Sequence, residues 1–268
     1  PLALPELDIA DSLTLFGAAG ASGSTMVGAG GETWMALDWL LLVERELLAF
    51  SAFWFCIGLL DEFAIDLAWL GLRLKGRIGT PHLPVGYGAD PLSGGCAVMI
   101  PAFRESQVIG TTIAHMLVSW PQRELMIYVG CYRNDPATLA AAMAAAGNDR
   151  RVRLVLLPAN GPTTKADCLN RLYFALCADE QRQRYRFANV VLHDAEDMVH
   201  PCALQVIDAA LIMRDFVQLP VRPEPQDHSR WIAGHYSDEF TENHAKGMVV
   251  RSALGASIPA AGVGCGFS

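Results

Sequence analysis

The chain has 268 residues, room for one large domain or a smaller domain with an appendage, and 52% of them are hydrophobic, an excess that needs a location. A formal net charge of -8 and a pI near 5.3, with no cluster of Lys and Arg on one segment, exclude a nucleic-acid binder, which needs a basic face to neutralise phosphates. Seven cysteines, odd in number, scattered and without a CxxC pair, read as buried thiols of a reducing compartment rather than metal ligands or a disulfide framework.

Taken from the start, residues 1–33 are small and polar and predict a disordered tail, because they cannot bury enough apolar surface to order themselves. Gly28-Ala29-Gly30-Gly31 is no phosphate loop, since no strand precedes it and no P-loop Lys follows. Both Pro1 at the start and the Gly264–Ser268 run at the end, read as a Gly-rich turn without a closing helix, are expected to be cuts in a longer protein. Residues 34–77 form a membrane-associated or transmembrane segment. Leu47–Leu60 alone is short for a hydrocarbon core of roughly 30 Å, but the stretch to Leu72 suffices. Asp61, Glu62 and Asp66 are costly in lipid unless they face other helices or the interface, so an amphipathic helix lying on the membrane stays open as the alternative. Arg73, Lys75 and Arg77 then place the remainder in the cytoplasm by the positive-inside bias.

Residues 78–94, rich in Gly and Pro, read as a linker. From 95 to 268 short apolar runs at 96–100, 125–131, 152–157, 189–193 and 215–219 alternate with helical stretches at 107–120, 136–146, 165–178 and 201–213. That alternation predicts an α/β domain with a Rossmann-like, mostly parallel sheet and helices on both faces. Ligands of such sheets bind beyond the carboxyl ends of the strands.

Three strand ends carry acids there: Pro101-Ala102-Phe103-Arg104-Glu105, Cys131-Tyr132-Arg133-Asn134-Asp135 and His193-Asp194-Ala195-Glu196-Asp197. Asp135 before Pro136 is equally readable as a helix cap. Three acids in four residues repel one another, and a divalent cation such as Mg²⁺ or Mn²⁺ would remove the penalty while keeping positions for substrate phosphates. An HD-type phosphohydrolase is excluded because that fold is all-helical and His193-Asp194 ends a strand. Lys165 opens a helix, where its charge opposes the macrodipole; beside a diphosphate it would have work to do, and the alternative is a solvated surface Lys.

These residues carry a family resemblance. Pro101–Glu105 resembles the opening strand and loop of glycosyltransferase family 2, of GT-A fold; Gly161–Asn170 resembles its Gly-Lys...Leu-Asn segment, and Asp194–Asp197 its DxD motif. Leu42–Glu46, Tyr128–Asp135, Thr163–Asn170 and Gly262–Phe267 are further similar to bacterial inner-membrane phage-adsorption glycosyltransferases. The resemblance implies a membrane-bound, metal-dependent inverting transferase using Mg²⁺ or Mn²⁺, a UDP-sugar donor and a glycan acceptor. Pro101, Ala102 and Glu105 would border base and ribose, Asp135 would touch the base edge, and Lys165 would lie by the diphosphate. Asp194 with either Glu196 or Asp197 would hold the metal. It places the catalytic base, a Glu-Asp pair, after a Gly-rich turn like 262–267, hence beyond residue 268; Asp238 and Glu239 are weak substitutes, read as structural on a helix expected over 231–251. The competing reading is a non-catalytic membrane scaffold that docks an outer-membrane partner or exporter.

Overall fold

The computed structural model describes residues 26–27, 33–34, 36–80, 82–84, 86–224 and 229–268. The tail expected over 1–33 lies outside these, apart from an antiparallel pair of two-residue strands, β1 (Met26–Val27) and β2 (Thr33–Trp34), whose second strand reaches past it. The chain divides into two compact units, Pro1–Ala64 and Ile65–Ser268.

The first unit holds most of α1 (Ala36–Leu74), a 39-residue helix that is the one described helix long and apolar enough to cross a membrane. At 1.5 Å per residue it extends about 58 Å. Its large apolar side chains stay exposed along the length, including Phe50, Trp54, Phe55 and Leu59, with nothing among the described residues covering them.

The second unit is a six-stranded sheet in the order β5-β4-β3-β6-β8-β7. Its strands are β3 (Gly95–Pro101), β4 (Leu125–Tyr132), β5 (Val152–Leu157), β6 (Phe187–Leu192), β7 (Phe216–Gln218) and β8 (Cys265–Phe267). Strands β3 to β6 pair in parallel, and β8 runs antiparallel to both β6 and β7. The central β3 is buried on both sides and reads as a continuous apolar run, as a covered parallel strand should. Cys96, Val98 and Ile100 face α2 (Ile109–Ser119), α3 (Pro136–Ala146) and α5 (Ala203–Leu211), packing with Ile113, Ala142, Leu204 and Ile207. Ala97 and Met99 face α4 (Lys165–Gln183) through Leu172 and Leu176. Helices therefore cover both faces, and each fully buried Leu or Ile contributes about 1.5–3 kcal/mol.

Two expectations need correcting. Residues 264–268 are not a turn only: Cys265–Phe267 is β8, slotted between β6 and β7. Gly266 makes this possible, since a Cβ there would stand 2.5 Å from the Ile207 side chain. The helix expected over 231–251 is broken into α6 (Arg230–Thr241), a π-helical turn (Glu242–Gly247) and α7 (Met248–Ala253). Within that turn Lys246 pairs with Glu242 and with Asp66 of α1.

The segment read as a linker is fastened to α5 and to the loops before β4 and α5. Ser93 donates from its amide and its hydroxyl to buried Asp208, both at 2.8 Å, and Asn189 donates to the same carboxylate at 2.7 Å. Gln122 donates to the Gly88 carbonyl, and the Cys202 thiol to the Tyr87 carbonyl at 2.8 Å.

Candidate active site

The strand order places β4 on one side of β3 and β6 on the other, so the connection reverses between β3 and β6. This is the switch point where an open parallel sheet leaves a crevice beyond its carboxyl ends. A cleft of about 280 Å³ lies there. The loop after β3 lines it with Pro101, Ala102, Phe103 and Glu105, and β4 ends on it at Tyr132. Thr163, Lys165 and Cys168 come from the start of α4, and Asp194, Ala195 and Glu196 from the turn after β6. Thr164 caps α4 by accepting from the Asp167 amide at 3.1 Å, which fixes where that helix begins and where Lys165 stands.

Asp194–Asp197 forms a tight turn held from within. The Asp197 carboxylate accepts from the Asp194 amide at 2.8 Å and lies 2.9 Å from Nδ1 of buried His193. The same oxygen makes both contacts, so Asp197 is turned to the backbone and Glu196 to the cleft. Of the two acids left open beside Asp194, Glu196 lines the cleft and Asp197 does not. Part of the crowding is offset within the protein, because Lys165 Nζ sits 2.5 Å from Asp194 Oδ1 and His193 lies against Asp197. Among the described residues no group of three or more His, Cys, Asp or Glu side chains is gathered as a protein-only cage requires. Two carboxylates on a phosphate-sized cleft are nonetheless the donor set Mg²⁺ or Mn²⁺ uses when substrate oxygens complete its shell.

Glu105 registers the density of acid here. Burial raises its carboxyl above the usual value, and the charges of Glu196, Asp135 and Asp194 raise it further. Asp135 behaves in the opposite way. Burial pushes it up, but hydrogen bonds from the Thr138 side chain and from the Arg104 and Thr138 amides, with the Arg104 charge, outweigh this and hold it below the ordinary range.

Asp135 takes the helix-cap role that the sequence also offered it. It is buried, lies outside the cleft lining, accepts from the Arg104 amide at 2.5 Å and from the Thr138 amide at 3.3 Å, and caps α3 ahead of Pro136. Both oxygens are occupied by backbone, and Arg104 is thereby held at φ 62, a conformation that costs a non-glycine residue energy. The carboxylate thereby shapes the β3 loop.

Residues 94–268 match the sequence profile of the Glycosyltransferase like family 2. The chain belongs to that family. It is 32% identical over 234 residues, 86% of its length, to Bacteriophage adsorption protein B of Escherichia coli strain K12, and equally to Bacteriophage N4 adsorption protein B of Escherichia coli O157:H7. The match spans 31% of each relative's length. Among solved structures, the mannosyltransferase PcManGT from Pyrobaculum calidifontis, in complex with GDP-Man and Mn²⁺, superposes with a TM-score of 0.45 at 17% identity, over 69% of this chain and 48% of that one. Glucosyl-3-phosphoglycerate synthase from Mycobacterium tuberculosis, with Mg²⁺ and UDP, gives 0.35 at 20% identity over 53% and 49%.

For this family-2 chain the cleft gathers Pro101, Ala102, Glu105, Lys165, Asp194 and Glu196, and leaves out Asp135 and Asp197. Asp238 and Glu239 sit exposed on α6 and do not line it. Sequence reasoning missed the aromatic wall. Phe103 and Tyr132 meet edge to face at 5.1 Å, and the Tyr132 hydroxyl lies 2.7 Å from Thr163 Oγ1. Gly161 lets the wall form, since a Cβ there would stand 2.5 Å from Phe103, and Asn134 holds that glycine through its amide and its carbonyl. Cys168 beneath has its thiol pushed up by burial to about 11, which makes it an inert packing group.

Proposed function

We propose that the Ile65–Ser268 unit binds a nucleotide sugar, a UDP-sugar in the first instance, together with Mg²⁺ or Mn²⁺, and that the protein is a membrane-bound inverting hexosyltransferase acting on a glycan acceptor at the bacterial inner membrane. The observation that carries the reading is the convergence of Asp194, Glu196 and Lys165 on one cleft at the switch point of the sheet.

In this reading Asp194 and Glu196 hold the cation, which when bound acts as a Lewis acid for the departing nucleoside diphosphate. Lys165 neutralises the diphosphate, whose charge grows as the glycosidic bond breaks. Ala102, Pro101 and Glu105 border the base and ribose, and the Phe103–Tyr132 wall keeps water from one side of the donor. Family membership supports a transferase; the names of the curated relatives favour a second reading, in which the domain mainly docks partners in phage adsorption or export. Donor turnover separates the two.

The test is calorimetry with UDP and GDP in MnCl₂ and again in EDTA. Binding that appears only with the metal is expected, and equal affinity under chelation would sink the proposal. The domain is further expected on the cytoplasmic side, because Arg73, Lys75 and Arg77 follow the apolar helix and nucleotide sugars are cytosolic. A reporter fused after Gly79 that is active only in the periplasm would refute that orientation.

A further inference from the structure

We infer that Lys165 fastens the Gly255–Gly262 segment while the donor is absent, and that arrival of a metal-bound nucleoside diphosphate releases it; this rests on the donor-site reading above. Lys165 Nζ donates to Asp194 Oδ1 at 2.5 Å and, across the cleft, to the Gly262 carbonyl at 3.0 Å. A single ammonium therefore joins the acid that would meet the cation to the segment between α7 and β8.

The rest of that segment is held at its ends, the Gly255 and Ala256 amides donating to the Ser252 and Arg251 carbonyls at 3.1 and 2.9 Å. Residues Gly255–Ala261 are exposed apart from half-buried Ile258. The Ala261 amide donates to Gln218 Oε1 at 2.8 Å, and past Gly262 the chain becomes fixed, with the Gly264 amide donating to the Leu192 carbonyl at 2.8 Å. Gly255 at φ 76 and Gly262 at φ 81 stand at the two ends, where the absence of a Cβ permits large dihedral changes. The Gly262 carbonyl is the segment's one link to the cleft cation.

Competition for the ammonium decides the outcome. A phosphate oxygen adds the attraction of opposite charges to the hydrogen bond a neutral carbonyl makes with an ammonium, so phosphate oxygens in the cleft displace a backbone carbonyl. A cation taken up by Asp194 also removes the ion pair that pins Lys165 in its present place. The Gly262 carbonyl then loses its donor, and the segment opens as the donor seats.

Hydrogen–deuterium exchange on the full chain in nanodiscs tests this, with UDP, GDP, ADP, CDP and TDP each added with MnCl₂ and binding measured in parallel by calorimetry. Expected is an acceleration of roughly 3- to 10-fold at 255–262, Ala261 included, for the diphosphates that bind, the size set by loss of one hydrogen bond. Lys165→Met keeps the alkyl stem and should show the faster exchange without any ligand, while β3 and β4 amides remain as protected as in the wild type. Binding with unchanged or slowed exchange at 255–262 overturns the latch and leaves the donor site standing. A Lys165→Met variant with wild-type protection overturns it too. Failure of every diphosphate to bind overturns both.

Discussion

The acids at the ends of β4 and β6 look alike in the sequence and are used in opposite ways. Asp135 has each oxygen on a backbone amide and lies buried outside the cleft. Asp194 and Glu196 line the cleft, and the Asp194 carboxylate is paired with the ammonium of Lys165. A carboxylate satisfied by backbone has little left to offer a ligand, whereas one paired with an exchangeable ammonium can trade that partner for a cation. The deciding property is what the oxygens already touch, more than how many acids cluster.

Substitutions sharpen this contrast. Asp194→Asn should weaken metal-dependent nucleotide binding by about 100-fold or more, since even outer-shell partners of a metal are worth 10–100-fold; calorimetry in MnCl₂ with retention below tenfold would place the metal elsewhere. Glu196→Gln should cost roughly tenfold in the same assay and leave the melting temperature unchanged.

Asp135→Ala should do the reverse, lowering stability by about 1–2 kcal/mol through loss of the cap and the Arg104 amide's partner. Nucleotide affinity should change little. Because the folded pKa of Asp135 lies below its unfolded value, its contribution is complete above the ordinary carboxylate value and is lost as pH falls through the folded one. The gap between wild-type and variant melting temperatures should accordingly be full at pH 7 and narrow below about pH 4. A gap that widens in acid would show that the charge is not what the amides hold. Asp197→Asn is the mildest change, on the order of 0.5–1 kcal/mol of stability, since Asn keeps one oxygen for the Asp194 amide. Loss of metal-dependent binding comparable to that of Asp194→Asn would reverse the assignment of Glu196 and Asp197.

The sheet was readable from the sequence because β3 and β4 are unbroken apolar runs, β6 is interrupted by Asn189 alone, and caps such as Asp135 before Pro136 and Thr164 before Lys165 mark where helices begin. Strand β8 was not, since Cys265-Gly266-Phe267 has neither length nor alternation, and its place depends on a void beside Ile207 that only the fold creates. The slip to a π-helical turn at Glu242–Gly247 changes hydrogen-bond register without changing composition, so no residue pattern announces it. The acids of the cleft could be found in the sequence as a set, but their orientations follow from hydrogen bonds within the Asp194–Asp197 turn. Phe103 and Tyr132 carried a signal that could have been used, since both stand at strand ends beside the acidic loops; what hid their pairing was Gly161, distant in sequence, whose missing side chain makes room for them.

The position of β8 also governs when the sheet can close. Strands β6 and β7 are made first, yet they do not pair with each other and must wait for Cys265–Phe267 to emerge and bridge them. Until then β6 offers a bare hydrogen-bonding edge, Val190 to Leu192, beside the acidic turn. Such edges are templates for wrong pairing, and contacts so far apart in the chain form late. During synthesis, therefore, the wall of the cleft nearest Asp194 acquires its neighbours after the other described strands, and the interval before it does exposes this chain to aggregation.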